Sequence, residues 1–117
     1  MAHITRFHVG ARLSETAVHN GTVYLAGQVP DDLGKDLRGQ TQEVLAMVDR
    51  LLAEAGSDKS RILMAQIFLA DIDEIGTMNE VWDAWIPAGH TPPRATVQAR
   101  MAKPGYRIEI VVTAALA

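Results

Sequence analysis

Residues 92–114, PPRATVQARMAKPGYRIEIVVTA, decide how the rest of the chain is read. Two runs of alternating character, Arg94 to Arg100 and Arg107 to Thr113, flank Ala102-Lys103-Pro104-Gly105. Successive strand side chains point to opposite faces, and a short Pro-Gly loop between two such runs predicts a β-hairpin. Ala95, Val97, Ala99 and Met101 would then share a core face with Ile108, Ile110, Val112 and Ala114. The other face would carry Arg94, Thr96, Gln98, Arg100, Arg107, Glu109, Val111 and Thr113. From pattern alone, that polar face is a solvated surface with ordinary cross-strand charge pairs. A second reading is a site, because a guanidinium at the start of a strand is a fixed fork for a carboxylate.

Upstream of the hairpin, ILMAQIFLA (62–70) is a continuous apolar run of strand length, the pattern of a central strand covered on both sides. Between the two, Ile75, Met78, Val81, Trp82 and Trp85 recur at helical spacing, capped by Asp71 or Asp73 and ending before Pro87. A longer helix is predicted over 37–55, with Asp36 as its cap and Gly56 as its stop. Asn20-Gly21 is a tight-turn dipeptide, so 17–26 reads as a hairpin, and Gly27 after it marks a bulge or a close backbone approach. Ile4 to His8 supplies a first short strand. The order is β-β-β-α-β-α-β-β, one α+β domain over residues 1–117 with two helices packed on one face of a mixed sheet. The other face would then be half apolar, which on a single subunit marks an interface.

Composition narrows the function classes. A chain of 117 residues is one domain with a modest core. It has no cysteine, which excludes disulfides, thiolate catalysis and cysteine metal sites and suits the cytoplasm. The four histidines show no HxH, HxxxH or HExxH spacing, so no metal is expected. Net charge −3 and eleven scattered Lys and Arg argue against nucleic acid as a main partner. No apolar run approaches the roughly 20 residues of a membrane helix, and the N-terminus from Met1 to Arg6 lacks a signal-peptide layout.

Five short stretches occur in a fixed order. They are Gly27-Gln28-Val29-Pro30 after a strand, Gln40-Thr41-Gln42 opening a helix, Asn79 on a second helix, Pro93-Arg94-Ala95, and Ile108-Glu109-Ile110. The set resembles the RidA/YjgF family of small trimeric enamine/imine deaminases, over about Arg6 to Ala114. The resemblance implies a chorismate-mutase-like fold and a homotrimer with ligand clefts between neighbours. It implies hydrolysis of enamine/imine acids of the 2-aminoacrylate type to 2-oxo acids and ammonia, with no cofactor.

On that resemblance Arg94 grips the substrate carboxylate and Glu109 positions or activates water. Each has a structural alternative, Arg94 as an interface ion-pair residue and Glu109 as a partner of Arg100 or Arg107. Gly27 and Gln28 fall at the cleft rim, and Asn79 is read as helix packing before catalysis. Ala26, Leu13 and Thr96 stand where many relatives carry serine, tyrosine and cysteine. In the hairpin register Glu109 lies opposite Gln98, roughly 13 Å along the strand from Arg94, so the two could not bond directly. The departures at Leu13, Ala26 and Thr96 favour a second function class, a trimer that binds small carboxylates or a partner without turnover. A ribonuclease, attached by name to some relatives, finds no His or Lys catalytic pair in this sequence.

Overall fold

The computed structural model describes residues 3–117. The N-terminal reading rests partly on Met1 and Ala2, which lie outside the described residues. Strands β1 (Thr5–Val9), β2 (Ser14–His19) and β3 (Thr22–Leu25) come first, then helix α1 (Leu37–Ala55) and strand β4 (Ile62–Leu69). Helix α2 (Ile75–Trp85), β5 (Arg94–Gln98) and β6 (Ile108–Ala115) complete the chain. The element order is the expected one.

The local signals act where the sequence puts them. Asn20 and Gly21 both take positive φ (51° and 77°), the backbone of a type I′ turn whose twist suits the β2–β3 hairpin. The Asp36 side chain accepts the Gly39 amide at the start of α1, and Gly56 ends the helix at φ 90°. Asp71, not Asp73, is the capping residue of the second helical segment. It accepts the Asp73 amide over a single 3₁₀ turn, and α2 follows without a side-chain cap of its own.

The sheet runs β1-β2-β3-β6-β4-β5, and here the expected final hairpin is overturned. β6 pairs antiparallel with both β3 and β4, while β5 lies parallel to β4 on its far side. The strands flanking the Pro-Gly loop are therefore not neighbours. Parallel strands need a crossover, and α2 supplies it between β4 and β5. The physical reason lies in β6 itself: Ile108, Ile110, Val112 and Ala114 are at most 1% exposed, a burial that an interior position satisfies.

Pairing across the sheet also corrects the faces. Arg94 sits beside Ala65, which sits beside Val112, both in the core beneath the helices. Glu109 sits beside Phe68, which sits beside Val97, on the opposite, open face. Ala95 and Val97 are thus exposed rather than in the core, and Arg94 and Thr96 point to the helix side. β4 is not covered on both sides within the protomer. Ala65, Ile67 and Leu69 are fully buried, while Met64 is 39% exposed on the open face opposite Thr113. Leu25 and Ile67 also turn inward to the core, so their neighbours Tyr24 and Phe68 supply the open face's apolar surface.

Candidate functional site

Arg94 opens β5 at the sheet edge, and its guanidinium lies under α2. Its Nη2 donates to Asn79 Oδ1 at 2.8 Å, and its Cζ stands 5.4 Å from the centre of the Trp82 ring. Asn79 and Trp82 are three apart on one helix and so share a face. Trp82 is itself only 4% exposed and is packed against Trp85, ring centres 5.5 Å apart. Trp85 in turn donates its indole N–H to Asp49 of α1 at 2.9 Å. The guanidinium therefore rests on an anchored wall. Among the described residues it has no ion-pair partner, so its charge is left for something outside the protomer's own carboxylates.

Glu109 lies on the open face of the sheet, beside Phe68. The β3–β6 register slips by one residue between Tyr24 and Gln28, a bulge that brings Gly27 up against β6. A side chain at position 27 would put its Cβ 2.8 Å from Glu109 Cδ and nearer still to Oε2. The bulge and the close approach expected at Gly27 are both present, and what approaches is the Glu109 carboxylate. Gln28 is locked beside it. Its backbone exchanges two hydrogen bonds with Ile110, and its side-chain amide donates to Glu15 Oε2 (3.0 Å) and to the Ala26 carbonyl (2.9 Å). Leu13 is 54% exposed, just before the strand that carries Glu15. Thr96 lies on the helix-side face two residues after Arg94, its hydroxyl buried without a partner.

The eight sequence-chosen residues thus fall into two groups. Arg94, Asn79 and Thr96 lie on the helix side of the β5 edge, and Glu109, Gly27, Ala26, Gln28 and Leu13 gather around the bulge. The sheet separates Arg94 from Glu109, so the shared face and the register expected for them are corrected, although the absence of a direct contact stands. Neither Arg100 nor Arg107 pairs with Glu109 among the described residues. A concavity of about 650 Å³ is lined by residues 98–106 and Ala70, at the other end of β5 from Arg94. A second, of about 360 Å³, lies between α1 and α2. Neither includes Arg94 or Glu109. No trio of His, Asp or Glu among the described residues is arranged to hold a metal ion. No helix among them is long and apolar enough to cross a membrane.

Two features escaped the sequence reading. Trp82 was legible only as part of an apolar stripe, and Glu15 carried no signal at all. The i, i+3 spacing of Asn79 and Trp82 was the available clue, because it puts an amide and an aromatic face side by side.

The sequence pattern of the family described as endoribonuclease L-PSP matches residues 3–116. The chain belongs to this family. It is the RidA/YjgF family that the motifs resembled, and its mixed sheet with two helices recurs in solved members. A YjgF family protein from Neisseria meningitidis superposes with a TM-score of 0.96 at 47% identity, over 98% of this chain and 96% of that one. A RutC family protein from Haemophilus ducreyi is 50% identical over 113 residues, 97% of each chain. A more distant relative is the 2-iminobutanoate/2-iminopropanoate deaminase of Rattus norvegicus, 30% identical over 83% of this chain and 74% of its own length.

Proposed function

We propose that the protein is a hydrolytic deaminase of reactive enamine and imine acids, built as a homotrimer with its sites between subunits. The observation that carries the proposal is a divided pair of half-sites. An arginine held by Asn79, and without an ion-pair partner among the described residues, lies at a sheet edge, and a carboxylate held over a glycine lies on the opposite face of the same sheet. Such halves are complete only when the edge of one protomer meets the open face of another. That open face is suited to contact. Tyr24 and Met64 flank Thr113 on it, and Phe68 lies beside Val97, with Tyr24 49% and Val97 48% exposed. An apolar patch of this kind marks an interaction surface.

In the proposed reaction Arg94 holds the substrate carboxylate and so orients the adjoining C=N carbon. Protonation of an enamine at its β-carbon gives the imine. Glu109 takes a proton from a water as the water oxygen bonds to the imine carbon, and that proton passes to the nitrogen to give the carbinolamine. The carboxylate then takes the hydroxyl proton and delivers it to the departing nitrogen as the C–N bond breaks, leaving a 2-oxo acid and ammonia. Free imines already hydrolyse in water, so positioning and one proton transfer, on the order of 10²–10⁴-fold, are enough. No cofactor enters. Gly27 backs the water side, where Ala26 brings no hydroxyl of its own.

The test generates 2-aminoacrylate and its longer homologues in situ and follows release of 2-oxo acid. Wild type is expected to accelerate release, Arg94→Ala to lose the acceleration, and Glu109→Gln to reduce it by about 10²-fold or more. Equal rates for wild type and Arg94→Ala would sink the assigned role of Arg94. No acceleration by an intact oligomer would transfer the assignment to a carboxylate-binding module without turnover, the reading favoured by Leu13, Ala26 and Thr96.

A further inference from the structure

Nη2 of Arg94 is the nitrogen common to both guanidinium edges that can meet a carboxylate with two parallel N–H bonds, one edge shared with Nε and the other with Nη1. It carries one hydrogen toward each edge. The hydrogen given to Asn79 at 2.8 Å withdraws one edge and leaves the other whole. Cζ of Arg94 stands over the Trp82 ring, 5.4 Å from its centre, where attraction between cation and ring holds the guanidinium. Trp82 is braced by Trp85, which Asp49 holds by the indole N–H and over which the Lys59 ammonium stands at 5.2 Å. Arg94 is thus held from α2 at two points, by the Trp82 ring and by the Asn79 side chain.

We infer that Asn79 and Trp82 are positioning residues that hold Arg94 so that it presents a single bidentate edge to the carboxylate of its ligand. The inference rests on the carboxylate role proposed for Arg94 and adds how that arginine is held.

The test has a readout that needs no turnover. Side-chain ¹⁵N–¹H signals of Arg94 are recorded in the free protein, for wild type, Asn79→Ala, Trp82→Leu and Trp82→Phe. Affinity for pyruvate is then measured on the same four proteins. Wild type is expected to show an Arg94 signal displaced by the indole ring current. Trp82→Leu should lose that displacement and Trp82→Phe should keep most of it. Asn79→Ala and Trp82→Leu should each weaken pyruvate binding roughly ten-fold. Unchanged pyruvate affinity in folded Asn79→Ala and Trp82→Leu would overturn the inference, as would a wild-type protein that does not bind pyruvate. If the variants respond as expected but no protein hydrolyses imines, the positioning stands and the deaminase falls. If wild type hydrolyses imines and both Asn79→Ala and Trp82→Leu match it in affinity, the deaminase stands and the positioning falls.

Discussion

Gly27→Ala separates the chemistry proposed for Glu109 from its contribution to folding. The new Cβ would stand 2.8 Å from Glu109 Cδ and 3.2 Å from Cγ, against about 3.5–4.0 Å for an ordinary carbon contact. Something must retreat by about 1 Å. The obstructing atoms belong to the end of a flexible side chain, not to backbone, so Glu109 rotates and the sheet stays. A rotamer displaced by such a contact costs about 0.5–1.5 kcal/mol. Replacing glycine also stiffens the unfolded chain, which returns about 0.4–1 kcal/mol where the backbone tolerates alanine. The net change in stability is therefore within about 1 kcal/mol, a melting shift of only a few degrees. Activity responds differently. A carboxylate swung away from the bulge no longer meets the water it activates, and kcat for imine hydrolysis is expected to fall by about 10–10²-fold, toward the Glu109→Gln value. The assay pairs thermal unfolding with 2-oxo acid release on the same preparation. Wild-type kcat in a folded Gly27→Ala protein would refute the role of Glu109 at this position. A melting drop of tens of degrees would refute the premise that the side chain, not the sheet, yields.

Three further outcomes follow from other parts of the fold. Gln40 is fully buried and bonds Lys35 O at 3.1 Å, Gly105 O at 2.9 Å and Arg107 N at 2.8 Å, tying the β5–β6 connection to α1. Gln40→Leu strands those groups and should cost about 3 kcal/mol in urea unfolding, and a loss below about 1 kcal/mol would contradict the clamp. Glu43 accepts the Asp31 amide at 2.6 Å, the main reason its pKa lies below the ordinary 4.5. Burial opposes that shift, and weaker bonds from Asp32 and Lys35 assist it. Because the folded value is the lower one, its stabilisation is present above pH 4.5 and is lost as the pH falls through the folded value. The gap in urea midpoint between wild type and Glu43→Gln should be open at neutral pH and close in acid, and a gap that widens in acid would reverse the sign. Met64→Glu plants a charge in the open apolar face, and light scattering should show a smaller particle than wild type. An unchanged mass would move the subunit interface elsewhere.

The sequence by itself determined most of the local turns and helix ends. Asp36 and Gly56 bounded α1 because caps act within one turn, and Asn20-Gly21 closed its hairpin because two residues can carry the required positive φ. Gly27 stood out by its place after a strand, whereas Arg94 and Glu109, which pattern alone reads as an ordinary solvated face, were marked by the family resemblance. The sequence could not decide which strands adjoin. Alternation fixes the parity of side chains along one strand, but the relation between two strands depends on their pairing, and a loop sequence compatible with a hairpin is equally compatible with a connection that passes a third strand. Only the tertiary structure put β4 between β5 and β6, and that single insertion moved Arg94 to the helix side while Glu109 stayed on the open face. Burial made the choice: β6 presents Ile108, Ile110, Val112 and Ala114 to the core and pairs on both edges, whereas β5, with Arg94 and Gln98 among its five residues, suits an edge. The same packing brought Trp82 and Asn79 to the guanidinium, a contact between residues of two elements that no pattern along the chain records.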